Sequence, residues 1–303
     1  MPETENRNTH IVAFIDILGF RSLVSDYFSG NNTEALPILE NALKAAEEYA
    51  VGYCSKYMKR HDMEYTFKQF SDCVSISFRI KAKEAARFLI EFGAVFNIVK
   101  MYQYILLGHN IMVRGGVSVG GHVENNNMIF SDALIKSYKL ETENAIYPRI
   151  IIDKSIIVLL EKALKKSPEE HDNFYDFYGH AMIRDWDDEV FISPFGIVGI
   201  TKTAIDKLGV DAFIKIISAT TSIKVNEIDI DEFVNIIKSD KSDKQTLQSH
   251  LGIINKYLKE NVNTKPEIIL KYKWFKQFIL WSIQPKSSQI KFEHHFKKAK
   301  KKR

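Results

Sequence analysis

Cysteine is nearly absent from this chain. Cys54 and Cys73 are the only two in 303 residues, and no Cys-x-x-Cys spacing relates them. That argues against a disulfide framework or a structural zinc site and fits a reducing cytoplasm. Long apolar runs are missing as well. No stretch reaches the length that spans a bilayer, and the opening Met1-Pro-Glu-Thr-Glu-Asn6 is polar, unlike a signal peptide. Nor is there an excess of one charge. The formal net charge is +4, but the tail of residues 297–303 alone carries six positive charges, which leaves the rest at −2. Outside that tail there is no broad basic groove for a nucleic-acid substrate, and the tail itself reads as a solvated end. The expectation is a cytoplasmic protein with no membrane span and no nucleic-acid partner.

What is present is ordinary for a globular chain: 45% hydrophobic and 26% charged residues, enough for one large domain or two modest ones. The informative stretch is Ile11-Val-Ala-Phe-Ile-Asp-Ile-Leu-Gly-Phe-Arg21. Ile11 to Ile15 reads as a buried strand, and Asp16 then interrupts the apolar run. A carboxylate in that position costs several kcal/mol (on the order of 3–5) unless paired or holding a metal. One reading makes Asp16 the cap of a helix beginning near Arg21. A second acid bears on the choice. In Tyr65-Thr-Phe-Lys-Gln-Phe-Ser-Asp-Cys-Val-Ser-Ile-Ser-Phe78 two strands of period two flank Ser71-Asp72. Ser-Asp is common turn chemistry. Two acids on neighbouring strands also describe a site for Mg²⁺ or Mn²⁺, which are held by a few carboxylates and a substrate's phosphates.

The spacing predicts helices over residues 32–58, 82–106, 131–142 and 156–166, and strands over 110–123 and 147–153. The strand at 110–123 carries Gly115, Gly116, Gly120 and Gly121, a sign of close backbone approach or bulges. The order is βαββαβ followed by αβ: an α+β, ferredoxin-like core with one added unit, which would make Asp16 and Asp72 neighbours. Three regions follow from this: 1–153 as the α+β domain carrying Asp16 and Asp72, 154–296 as a mixed and then mostly helical region, and 297–303 as the tail. Asp185, Asp187 and Asp188 lack the glycine and distal glutamate of a calcium loop and read as a surface turn. The Trp274/Phe278/Trp281 stripe reads as core or interface.

Three motifs, in order, carry a family resemblance: Phe14-x-Asp16-Ile17-x-Gly19-Phe20, Ser71-Asp72 and Val113-Arg-x-Gly-Val-x-x-Gly120. Together they resemble the strand signatures of the class III nucleotidyl cyclase catalytic domain, over roughly residues 10 to 153. The resemblance implies a homodimer with active sites at the interface, and two divalent cations (Mn²⁺ or Mg²⁺) on Asp16, Asp72 and the Ile17 carbonyl. It implies in-line attack of a ribose 3′-hydroxyl on the α-phosphate with loss of pyrophosphate. By the same resemblance Phe14, Phe20, Lys68 and Arg149 would contact substrate, while Arg114 and Lys139 would serve catalysis. Ile135 and Lys139 stand where the family has a ribose-orienting Asn and a phosphate-stabilising Arg. The family's acidic partner for Lys68 has no counterpart in the sequence, since its place falls near Met128. Phe14-Ile-Asp-Ile-Leu-Gly-Phe20, Leu134-Ile-Lys-Ser-Tyr-Lys-Leu-Glu141 and Tyr147-Pro-Arg-Ile-Ile-Ile-Asp153 look more narrowly like the pyrimidine cyclases of Pycsar antiphage defence. Those make cyclic UMP or cyclic CMP from UTP or CTP for a separate effector. A dimerising, nucleotide-sensing module on the same fold is the alternative from a different class.

Overall fold

The computed structural model describes residues 9–53, 62–125, 127–171, 174–175, 178–195, 241–261 and 265–296. Cys54, the predicted helix end at Met58, residues 201–240 and the basic tail lie outside them. The chain forms two units, Met1–His171 and Asp172–Arg303.

The first unit is a mixed α+β fold around a central sheet. Its strands are β1 (Thr9–Ile17), β2 (Tyr65–Phe70), β3 (Cys73–Arg79), β4 (Val113–Glu124), β5 (Ile129–Ser131) and β6 (Ile150–Ile152). Its helices are α1 (Phe20–Phe28), α2 (Ala35–Tyr53), α3 (Ala85–Gly108), α4 (Asp132–Lys139) and α5 (Lys154–Lys166). The strands lie in the order β2-β3-β1-β4-β6, with β5 paired to β4. The pairs β2–β3, β3–β1 and β1–β4 are antiparallel, and β4–β6 is parallel. The first four strands thus give the split βαβ arrangement expected from the sequence, and β6 is the added strand. The short β5, a hairpin partner of β4, had no sequence counterpart. Its turn is fixed by the Asn125 side chain, which accepts the Asn127 and Met128 N–H groups at 2.9 Å each.

Register sorts the side chains onto two faces, because directly paired residues project to the same side and alternate along each strand. One face carries Ile11, Ala13 and Ile15 of β1 beside Val74, Ile76 and Phe78 of β3, all buried. Tyr102 of α3 meets Phe67 on this side, and α3 packs against α2 and α5. α3 can be buried nearly all round because its sequence is apolar on nearly every face. The other face carries His10, Val12, Phe14 and Asp16 on β1, Cys73, Ser75 and Ser77 on β3, Thr66 and Lys68 on β2, and Arg114, Ser118, His122 and Glu124 on β4. Helix α4 covers part of it, with Tyr138 edge-on to Phe14 at 5.6 Å and the Ser137 hydroxyl donating to the Val12 carbonyl at 2.7 Å.

That helix comes so close because β4 has glycine where it passes. A Cβ on Gly116 would collide with the Ser137 carbonyl and with Leu140 Cβ. Gly115, Gly116 and Gly120 therefore do mark close approach, and at Gly116 the approaching group is the chain's own helix, while a Cβ on Gly121 would meet nothing within 4 Å.

The β2–β3 turn holds Ser71 at φ 57°, a left-handed conformation that costs a non-glycine residue about 1–2 kcal/mol. Glycine relieves that cost but loses about 0.5–1 kcal/mol to unfolded-state freedom. Ser71→Gly should therefore raise stability by about 0.7 kcal/mol, readable as a higher urea midpoint at unchanged slope.

In the second unit β7 (Met182–Arg184) pairs with β8 (Val190–Ile192) and β9 (Glu293–His294). Helices α6 (Lys241–Glu260) and α7 (Pro266–Ile283) form a hairpin clasped by Tyr257 stacked on Tyr272 at 3.8 Å. Trp274 and Phe278 are core here, packed on Phe191 and Phe292. The acidic turn needs a correction: Asp187 and Asp188 do lie in the β7–β8 turn, but Asp185 is buried, accepting the Trp274 indole N–H at 2.8 Å. An indole donor inside an aromatic core needs an acceptor, and Asp185 supplies it.

Candidate active site

β1 and β3 end together, and this brings the two acids into one place. Asp16 pairs in register with Cys73, the residue after Asp72. The Ile17 N–H donates to the Asp72 carbonyl at 3.1 Å, tying the hairpin tip to the end of β1, and the Leu18 N–H donates to Met112 at 2.9 Å. Asp16 is thus the penultimate residue of its strand. The cap of α1 is instead Gly19, at φ 82°, with no side-chain hydrogen bond. The capping alternative for Asp16 is thereby answered: a glycine-led turn opens the helix and the carboxylate faces the site.

Ligand atoms of Asp16, Asp72 and Cys73 all lie within 4.8 Å of one another. The Cys73 thiol donates to Asp16 Oδ1 at 3.4 Å and to Asp72 Oδ1 at 3.8 Å. Burial raises the Asp16 pKa above its ordinary value of 3.8, and the Asp72 charge adds to it, against Cys73 and Arg114, which pull it down. Burial and the neighbouring carboxylates push the Cys73 thiol up to about 12. Crowded negative charge that favours protonation is what a small, hard cation would relieve, and two carboxylates suit Mg²⁺ or Mn²⁺. The donor set therefore fits a divalent cation.

One positive charge is already at hand. Arg114 Nε donates to Asp16 Oδ2 at 3.4 Å, and its other end reaches the buried Glu141 carboxylate at 2.6 Å. Glu141 belongs to a π-helical turn, Leu140–Asn144, that continues α4.

A second polar group lies farther along the same face. Lys68 pairs in register with Ser75, and Ser75 with Phe14, two residues or about 7 Å along β1 from Asp16. The Lys68 ammonium bonds Glu124 Oε1 at 2.6 Å and the Asn125 carbonyl at 3.2 Å. Glu124 Oε2 also accepts from Thr66 at 2.8 Å and from His122 Nε2 at 3.0 Å. Burial alone would raise the Glu124 pKa; these donors outweigh it and hold the carboxyl below its ordinary range.

No protein-family model and no curated protein matches this sequence. Among solved structures the chain is similar to the guanylyl cyclase Cya2, with 15% identity and a TM-score of 0.30, over 52% of this chain and 80% of that one. It is also similar to a bacterial light-regulated adenylyl cyclase, at 14% identity and a TM-score of 0.32, over 65% and 56% of the two chains. A third is a class III adenylyl cyclase-like ATP-binding protein from Pseudomonas aeruginosa, at 11% and 0.34, over 91% and 60%. The chain thus spans little more than half of the light-regulated cyclase. Scores this low transfer no role, and the chemistry has to be argued from the residues of this chain.

Of the nine residues singled out in the sequence, Asp16, Ile17, Asp72 and Arg114 converge at one end of the face, Phe14 lies beside them under Tyr138, and Lys68 stands along the same face. Phe20 turns elsewhere. It lines an apolar cavity of about 220 Å³ with Leu23, Tyr27, Leu39 and Ser71. Lys139 is exposed at the end of α4, outside the Asp16–Arg114–Glu141 chain. Arg149 is fully buried, donating to the Asn144 carbonyl at 3.2 Å and lying over the Tyr147 ring. It braces the turn into β6 and, being fully buried, offers no surface to a substrate.

Sequence reasoning missed Glu124, His122, Glu141 and Cys73. Period two counted on from Arg114 through Gly116, Ser118 and Gly120 would have put His122 and Glu124 on the Asp16 face. Reading β4 as ending at Val123 hid Glu124, which the structure shows to be the acidic partner of Lys68.

Proposed function

We propose that this protein is a nucleotidyl cyclase that converts a nucleoside triphosphate, UTP or CTP, to its 3′,5′-cyclic monophosphate and pyrophosphate. One observation carries the reading: Asp16 near the end of β1 and Asp72 in the turn into the adjacent β3, far apart in sequence, lie within ligand distance of each other. The residues that would hold two divalent cations are Asp16, Asp72 and the Ile17 carbonyl. When bound, such ions neutralise the triphosphate and acidify the ribose 3′-hydroxyl. The 3′-oxygen forms a bond to the α-phosphorus, the bond from that phosphorus to the β-phosphate bridging oxygen breaks, and the hydroxyl proton leaves to solvent.

The chain's own groups do the rest by position. Arg114, held in place by Glu141, sets a fixed positive charge beside Asp16. The N-terminus of α1, opened by Gly19 three residues past Asp16, presents the end of a helix that favours anions such as phosphate. The Lys68–Glu124 pair sits at a nucleotide's reach along the face and is suited to the base. Phe130, Ile135 and Tyr138 are 73%, 58% and 51% exposed along β5 and α4. Apolar side chains left to water in one stretch support a homodimer built across this face. The pyrimidine preference and a messenger role in antiphage defence rest on the Pycsar-like motifs. No helix among the described residues is long and apolar enough to cross a membrane.

One observation favours a second reading, a dimerising nucleotide sensor. Ile135 is exposed where the family resemblance calls for a ribose-orienting Asn, and isoleucine cannot bond a ribose. Incubating the protein with each of the four ribonucleoside triphosphates and Mn²⁺ or Mg²⁺, followed by mass spectrometry, separates the two. A cyclic pyrimidine nucleotide is the expected product. A cyclic purine would keep the reaction and discard the pyrimidine assignment. Binding without any product would favour the sensor.

A further inference from the structure

His122 is 3% exposed and sits between two polar groups. Its Nδ1 lies 2.8 Å from the Ser131 hydroxyl and its Nε2 lies 3.0 Å from Glu124 Oε2. Ser131 is the N-cap of α4, its oxygen accepting the Leu134 N–H at 2.9 Å. The direction of these bonds follows from the donor inventory. Glu124, held ionised by its neighbours, can only accept, so Nε2 carries the proton. In the neutral imidazole Nδ1 is then the acceptor, and the Ser131 hydroxyl donates to it at 2.8 Å rather than to the Gly121 carbonyl at 3.4 Å. A one-way chain results: Leu134 N–H to Ser131, Ser131 O–H to His122, His122 N–H to Glu124.

That chain fixes what Glu124 can offer. An ionised carboxylate has about four acceptor positions. Thr66 and His122 occupy Oε2 and Lys68 occupies one position on Oε1, which leaves the other on Oε1. Lys68 has three ammonium hydrogens, directed among the described residues to Glu124 and the Asn125 carbonyl, so one remains. The pair therefore presents one acceptor and one donor side by side, the pattern of a nucleobase edge. The Lys68 and Glu124 side chains are 34% and 10% exposed, so the pair is open to solvent on one side.

We infer that His122 is a positioning residue for base selection: by holding Oε2, it aims the free acceptor of Glu124 at the base edge of the bound nucleotide. This rests on the triphosphate reading above. Polar complementarity of that kind discriminates strongly, because a wrong base leaves the partly desolvated pair unsatisfied. A carboxylate free to rotate loses the distinction.

Two substitutions separate positioning from mere packing. In His122→Gln the amide nitrogen reaches the place of Nε2 and still donates to Glu124. In His122→Asn the amide reaches Ser131 and stops short of Glu124. Binding of the four α,β-methylene ribonucleoside triphosphates, which cannot lose pyrophosphate, is measured by calorimetry on the full-length protein. The wild type is expected to prefer one base. His122→Asn should weaken that ligand about tenfold and the others by less than about twofold, and His122→Gln should restore most of the loss. An unchanged preference in His122→Asn, or equal losses in both variants, would overturn the inference alone. Failure of the wild type to bind any of the four analogues would overturn the triphosphate reading with it.

Discussion

Asp16→Asn should cut cyclisation by at least about 10³-fold, equivalent to about 4 kcal/mol of lost transition-state stabilisation, while making the metal-free protein more stable at neutral pH. Asp72→Asn should match it in activity. The stability half follows from the sign of a pKa shift. Burial first, and the Asp72 charge second, lift the Asp16 carboxyl above its ordinary value of 3.8 in the fold. The folded chain then keeps this proton to higher pH than the unfolded chain does. Stability falls as pH rises from the ordinary value through the raised one, and the penalty stays in full above it. Asparagine keeps an oxygen for Arg114 and has no such titration. Melting curves of both proteins in EDTA across pH 3 to 8 (roughly the span of this titration) should converge in acid and separate toward neutrality. A variant that melts below the wild type at neutral pH would show Asp16 to be a structural partner of Arg114 first. A variant that keeps wild-type turnover would remove the metal assignment.

The second large effect is steric. Gly116→Ala should destabilise the protein by about 3 kcal/mol, because the new methyl would meet the Ser137 carbonyl and Leu140 Cβ. The neighbours cannot easily yield: one is helix backbone, and Ser137 is fixed by bonds to Val12 and Ser118. Gly121→Ala is the matched control in the same strand. A methyl group there would meet nothing within 4 Å, so a change of less than about 0.5 kcal/mol is expected. Urea denaturation of the pair checks both. If Gly116→Ala were as benign as the control, α4 would not be seated on β4 as described.

These two predictions draw on features that the sequence revealed to different degrees. The acid interrupting Ile11–Ile17 and the alternation on either side of Ser71-Asp72 were plain, because a strand's period of two is local. The βαββαβ order followed from the same local signals. Glu124 was hidden for a non-local reason: its partners Lys68 and Thr66 are more than fifty residues away, and β4 runs past its pairing with β1 before turning at Asn125. Arg149 misled for a different reason. The family resemblance assigned it to the substrate, and only the packing of the π-helical turn and Tyr147 around it shows that it is enclosed. Ile135 was legible as a departure but not as a surface, since exposure on one side of a two-turn helix depends on what the other side covers.

The division of the sheet into a polar and an apolar face has a further consequence for how the gene can change. The chemistry is held in place by counting: Asp16 faces the site because it is an even number of residues from Phe14 and His10. A single residue inserted in β1 ahead of Asp16 would rotate the carboxylate into the packing beneath α3 and turn Ile15 outward, with no amino acid replaced. Two inserted residues would return it to its face, one rung displaced from Cys73. The strand interiors of this fold therefore tolerate substitution far better than a change of length, and variation in length belongs at the loops between them.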